Sequence, residues 1–219
     1  GSVGSGKSTT IASLTVERAK NRSERIITLE DPVEFVYPEF QRSSFSQKQL
    51  GVHFKSMAQG LKEALRMAPS IVIVQEIRDV ATAEIAISAA NTGHLVVATL
   101  HATDCEEVAY RFQGILQGGD SGSVDASLEN LASALQLVVC QRLVLNEEVG
   151  KRVAVHEVMA ASPAVQNALR KKDYGKLRSL IEYGRKDGMH TFQQSVQSRV
   201  EDRLLPGSVL REGQYKLKS

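Results

Sequence analysis

Two rhythms of apolar positions run along this chain, one at helical spacing and one in short unbroken runs. Residues 7–22 carry Ile11 and Leu14 on one stripe and end in the polar Asn21-Arg22-Ser23, which predicts a helix. Arg25-Ile-Ile-Thr-Leu29 predicts a short strand, stopped by Glu30-Asp31-Pro32 because proline offers no N–H to a ladder and displaces its predecessor from helical geometry. Residues 36–51, with Pro38, Gly51 and several serines, read as irregular chain or a hairpin. Residues 56–68 return to helical period, with Ser56 placed to cap. Ser70-Ile-Val-Ile-Val-Gln75 is a β-branched run of the kind buried on both faces of a parallel sheet. An Ala/Ile-rich helix over 80–91 closes at Asn91-Thr92-Gly93, and His94 to Leu100 reads as a third buried strand.

A helix is expected from about Asp104, a flexible loop over Gly118–Ser123, an apolar helix over 125–140, and another strand from Gln141 to Leu145. The texture then changes. One short strand, Val153 to Val158, precedes amphipathic helices near 163–171, 173–183, 190–201 and 206–212. Alternating strands and helices imply an α/β fold with a parallel sheet and right-handed crossovers. The expected division is a nucleotide-binding core over 1–150 and a mainly helical C-terminal subdomain over 151–219.

Composition narrows the class. With 27 basic and 25 acidic residues the charge is balanced, and aromatics are only 5% with no tryptophan. Neither favours a nucleic-acid groove, which needs basic residues interleaved with stacking platforms. No apolar run approaches the length that crosses a bilayer. Cys105 and Cys140 have neither metal-site spacing nor the density of a disulfide scaffold, so a reduced, cytosolic compartment is the simple reading.

Chemistry concentrates in four stretches. Gly1-Ser-Val-Gly-Ser-Gly-Lys7-Ser8-Thr9-Thr10 fills the phosphate-loop pattern, making this a P-loop NTPase candidate. Its glycines let successive N–H groups turn towards a polyphosphate, and the helix that follows adds its positive end. Ser2, Gly4, Ser5, Gly6, Lys7, Ser8 and Thr9 are the candidate nucleotide-binding residues, with Lys7 on the β- and γ-phosphates and the Ser8 hydroxyl on Mg²⁺. The strand that should feed this loop is expected upstream of Gly1. Thr28-Leu-Glu30-Asp31-Pro-Val-Glu34-Phe35 sets three carboxylates at a strand's C-terminal edge, where α/β sheets bind ligands; alone, it reads better as a turn with solvated acids. Ile71-Val-Ile-Val-Gln75-Glu76-Ile-Arg78-Asp79 has the Walker B layout, four apolar residues and then an acid for Mg²⁺, with Gln75 where an Asp usually stands. Gly93-His94-Leu-Val-Val-Ala-Thr99-Leu-His101-Ala-Thr103 brackets a strand with two histidines. His101, supported by Thr99 and Thr103, suits a γ-phosphate sensor, and His94 suits a bridge to a neighbouring element.

Together these stretches resemble the ATPases of the type IV pilus and type II/IV secretion superfamily, most closely its pilus-retraction (PilT-like) branch. Residues 28–37 resemble that family's Asp box, 71–79 its Walker B, and 92–102 its His box; the likeness continues through 152–159, 162–167 and 188–192. Conjugative thin-pilus and Dot/Icm-like type IVB ATPases share the same motifs. Gln75, where the family usually has glycine, and the segment 112–124, which lacks the usual Phe-Pro, depart from the pattern.

The resemblance implies a RecA-like parallel sheet flanked by helices, ATP and Mg²⁺ as ligands, and a hexameric motor at the cytoplasmic face of the inner membrane. Its partner there would be a platform protein of a pilus or secretion machine. It assigns Glu34 as general base, Glu30 and Asp31 as shaping the site, Glu76 as a Mg²⁺ handler, His101 as sensor and Arg78 as a subunit or domain contact. It places the arginine fingers in a PAS-like domain upstream, and it implies no nucleic-acid partner. The alternative reading is a RecA-like nucleic-acid translocase or helicase, since fold does not fix function.

Overall fold

The computed structural model describes residues 1–118 and 124–211. The chain divides into two compact units. One comprises Lys7–Leu100 with Phe112–Ala134; the other comprises Gly1–Gly6, His101–Arg111 and the chain from Leu135.

The first unit is built on a parallel sheet. Among the described residues its strands are β1 (Arg25–Glu30), β2 (Ser44–Gln49), β3 (Ile71–Val74) and β4 (Leu95–Ala98), in the order β2-β1-β3-β4. All pairings are parallel, with Leu29 opposite Val74 and Val74 opposite Ala98. Alternation along the strands sends side chains to opposite faces. On one face Ile27, Leu29, Val72 and Val74 pack with Leu61 and Ala64 of α2 (Met57–Leu65) and with Ala83, Ala86 and Ile87 of α3 (Val80–Asn91). On the other, Ile26, Ile71 and Ile73 pack with Ile11 and Ala19 of α1 (Lys7–Asn21). Ser56 caps α2 and Asp79 caps α3, each accepting an N–H from the first turn. Gly93, at φ +98°, turns the chain out of α3.

Two sequence expectations change here. Residues 44–49 form no hairpin but a strand parallel to β1. Ser-Phe-Ser-Gln-Lys-Gln lacks an apolar run because an edge strand need not be buried on both faces. β4 is half-exposed rather than buried, for the same reason: it is the last strand in the order.

The second unit centres on an antiparallel pair, β5 (Leu137–Asn146) and β6 (Lys151–Ala160). α4 (Cys105–Gln117) contributes its first half to this unit. The apolar helix expected over 125–140 ends early: α5 is Val124–Ala134, and Leu137-Val-Val-Cys140 belongs to β5. A β-branched apolar run of that length reads as either state until a partner strand decides it. The expected loop at 118–123 lies, from residue 119, outside the described residues. α8 (Phe192–Glu201) packs against β6, and α6 (Pro163–Arg170) packs against α7 (Leu177–Tyr183); Val155, Met159, Val165, Leu177, Ile181 and Val196 are buried. A final turn, α9 (Ser208–Arg211), closes the described chain. α8 starts at a full capping box, Thr191 with Gln194. Cys105 donates its thiol to Cys140 at 3.8 Å, both buried and not joined by a disulfide. That contact, with burial, pushes the Cys105 thiol far up.

One close approach tests the first unit's core. A Cβ on Gly60 of α2 would stand 2.8 Å from the ring of the buried Phe54. Gly60→Ala should therefore lower stability by about 1–3 kcal/mol despite its better helix propensity. Thermal melting checks this; an unchanged or raised Tm would show that the ring yields freely.

Candidate active site

In the first unit, three motif residues come together at the C-terminal edge of the sheet. Lys7 opens α1. Burial pulls its ammonium below the ordinary lysine range, while the carboxylates of Glu76 and Glu34 pull it back up. A cation partly withdrawn from water between two acids is the local charge pattern of a site that takes a polyanion and a metal.

Glu34 stands on an irregular segment, yet that segment is held at many points. Glu30, ending β1, accepts the Thr28 hydroxyl at 2.6 Å and the Gln47 amide at 3.0 Å through one oxygen. Its other oxygen accepts the Glu34 backbone N–H at 3.4 Å. The glutamines of β2 do the rest. Gln49 accepts from Val33 N–H at 3.2 Å, and Gln47 accepts from Tyr37 N–H at 3.1 Å and donates to the Phe35 carbonyl at 2.7 Å. Stacking of Tyr37 on Phe45, with centroids 4.4 Å apart, finishes the bracket. Sequence reading missed Gln47 and Gln49. The period-2 spacing Gln47-Lys48-Gln49 was the available signal, because it puts both amides on one face of a strand.

Gln75 also acquires a role. Its side-chain oxygen accepts the Asp31 backbone N–H, and its amide donates to Glu34 at 3.4 Å. It thereby ties the end of β3 to the segment after β1. Arg78 donates to Glu76 at 2.7 Å and lies 3.9 Å from Asp31, both within its own unit; these partners hold the guanidinium above its usual range. The Thr99 hydroxyl donates to the Gln75 carbonyl. Ser8 is half-buried and Thr9 exposed on the first turn of α1. For Mg²⁺ the donor chemistry fits: Ser8 and Glu76 offer hard oxygens, and Glu76, already drawing Arg78 and the charge of Lys7, is an acid that collects cations.

The second unit holds the rest of the phosphate loop. Ser5 N–H bonds the Ser2 carbonyl at 3.3 Å, closing a turn, and Gly4 and Gly6 take φ of +72° and +85°, which side chains rarely adopt. Behind the loop stands Gln141 of β5, a residue that sequence reading passed over. Its amide donates to the Ser5 carbonyl at 2.6 Å, and its oxygen contacts Nε2 of His156, its cross-strand partner, at 3.0 Å. Burial, Arg199 and His190 lower the pKa of His156.

His101 is half-buried at the start of this unit's middle segment. Both the N–H and the hydroxyl of Thr103 donate to Glu107, at 2.6 and 2.7 Å, holding that carboxyl at about 2, and the hydroxyl also reaches Asp104 at 3.2 Å. His94 turns back onto α3, its Nδ1 3.2 Å from the Ala89 carbonyl.

The sequence matches the family described as "Type II/IV secretion system protein" over residues 1–206. It is 36% identical over 211 residues to the "Twitching motility protein" of Neisseria gonorrhoeae, covering 96% of this chain and 55% of that protein. Among solved structures it is similar to the pilus retraction motor PilT with bound ADP, at TM-score 0.80 and 34% identity, over 92% of this chain and 56% of the other. It is also similar to the Legionella pneumophila ATPase DotB, at TM-score 0.83 and 27% identity, over 96% and 57%. The chain thus spans little more than half the length of each.

The tie made by Gln75 is open to direct measurement. In Gln75→Leu, similar in size but without the amide, hydrogen exchange at the Asp31 N–H should quicken about tenfold, the scale of one lost hydrogen bond, while β1 and β3 core amides keep their rates. Unchanged exchange at Asp31 would mean that β2 and Glu30 hold the segment alone.

Proposed function

The chain belongs to the type II/IV secretion system protein family, and on that basis we propose that it hydrolyses ATP to power a type IV pilus or secretion machine, as a PilT-like motor. The observation that carries this reading is that Lys7 stands within the electrostatic reach of Glu34 and Glu76, one residue from each of three ordered motifs. The relatives' names, a pilus retraction motor and a secretion ATPase among them, support it.

Phosphoryl transfer asks little covalent chemistry of a protein; positioning and charge do most of it. Backbone N–H groups of Ser2, Gly4 and Gly6 receive the phosphates, with Ser5, whose N–H closes the turn, shaping the loop and Thr9 at the edge of the cradle. Lys7 binds the β- and γ-phosphates. Ser8 and Glu76 would hold Mg²⁺, which neutralises charge on the phosphate oxygens when bound. Glu34 orients the attacking water and accepts its proton, and Glu30 and Gln75 aim that carboxylate. His101 senses the γ-phosphate.

At the level of the whole protein, residues 1–150 carry the nucleotide-binding motifs and residues 151–219 belong to the part that transmits their changes. The assembly is a homo-hexamer at the cytoplasmic face of the inner membrane, acting on a platform protein, with arginine fingers from a PAS-like domain upstream of Gly1. No helix among the described residues is long and apolar enough to cross a membrane.

Two substitutions test the chemistry. Lys7→Ala should abolish tight ATP binding. Glu34→Gln should bind nucleotide within about threefold of wild type yet lose at least about 10²-fold in turnover. Nucleotide titration beside a phosphate-release assay separates them, and normal turnover in Glu34→Gln would sink the general-base role. Single-stranded DNA should leave the rate unchanged; stimulation by DNA would favour the translocase reading.

A further inference from the structure

We propose that Gln141 and His156 form a brace that sets the phosphate loop's peptide plane between Ser5 and Gly6, making both positioning residues for nucleotide binding. The proposal rests on reading residues 1–8 as a phosphate loop. In a trans peptide the carbonyl and the next N–H point in opposite directions. Gln141 takes the Ser5 carbonyl at 2.6 Å, so the Gly6 N–H on the same plane must face the other way. That is the side on which a phosphate would accept it.

Gln141 is shaped to the loop at two further points. A Cβ on Gly6 would stand 2.8 Å from its side-chain nitrogen, and a Cβ on Gly1 would stand 2.7 Å from its backbone carbonyl. The motif's two outer glycines therefore serve a close approach to β5 as well as a turn. Gln141 is 5% exposed, so its amide cannot exchange partners with water cheaply.

Ser5 decides which way that amide points, and the amide decides the tautomer of His156. The Ser5 carbonyl can only accept, so Gln141 must present its NH₂ there and its oxygen to His156. That oxygen in turn requires a proton on Nε2 of His156. The ring is held as β5's cross-strand neighbour, and its backbone N–H donates to Ser195 of α8 at 3.0 Å. The polarity of the whole line, from His156 through Gln141 to Ser5, is thus fixed.

The test is made on the full chain. Selective ¹⁵N labelling of histidine should show His156 as the Nε2–H tautomer in wild type, and a shifted or mixed tautomer in Gln141→Met. ADP affinity should fall about tenfold in Gln141→Met and Gln141→Glu, with Tm within a few degrees of wild type, and adding His156→Phe to Gln141→Met should cost no further affinity. An Nδ1–H tautomer in wild type, or ADP binding by Gln141→Met within twofold of wild type, overturns the brace. Lys7→Ala separates the premises. If it leaves ADP binding intact, the phosphate-loop reading fails and the brace with it; if it abolishes binding while Gln141→Met does not, the brace alone fails. Should Gln141→Met not fold, the wild-type tautomer still decides.

Discussion

Parallel pairing of β1 with β3 in register is the constraint from which the candidate site follows. Leu29 lies opposite Val74, so both strands end at the same edge and release their chains side by side. Whatever follows each strand must share that space. Glu30, Asp31 and Glu34 follow one; Gln75, Glu76 and Arg78 follow the other. The edge would be a crowd of acids without cations, and Lys7 and Arg78 supply them. The burial of Ile26, Ile27, Leu29, Val72 and Val74 on the two packed faces holds the register, because a one-residue slip would exchange the faces and lose the fit against α1 on one side and α2 and α3 on the other. Hydrophobic packing within the sheet thus sets electrostatics at its rim.

The rim is stabilised in a different currency. The contacts around Glu34 are hydrogen bonds at half-exposed positions, each worth about 1 kcal/mol or less, and the Arg78–Asp31 pair at 3.9 Å is more exposed still. Their sum matters little to whether the chain folds. It matters to where one carboxylate stands. β2 illustrates the division of labour: one edge of its backbone completes the sheet while Gln47 and Gln49 grip residues 33–37. A strand that contributes polar side chains to a loop cannot also look like a strand in its apolar pattern.

That is why parts of the fold were legible in the sequence and others were not. Lys7, β1, β3 and the helices α1 to α3 are written in local pattern: a fixed motif, β-branched runs, helical stripes and a cap at Ser56. β2 was hidden because its identity depends on a partner strand and on the loop it holds. Leu137 to Cys140 was misread because an apolar run is ambiguous until β6 pairs with it. The meeting of Cys105 with Cys140, 35 positions apart, and of Ser5 with Gln141, 136 positions apart, leaves no local trace at all. The chemistry could be read at the motif; its supports could not.

Those distant supports divide the phosphate-loop motif in two. Gly1 to Gly6 group with β5, β6 and the helices that follow, whereas Lys7 onward groups with the sheet. The loop's peptide planes are held through Gln141, His156 and Ser195, while the lysine is tuned by the acids at the strand ends.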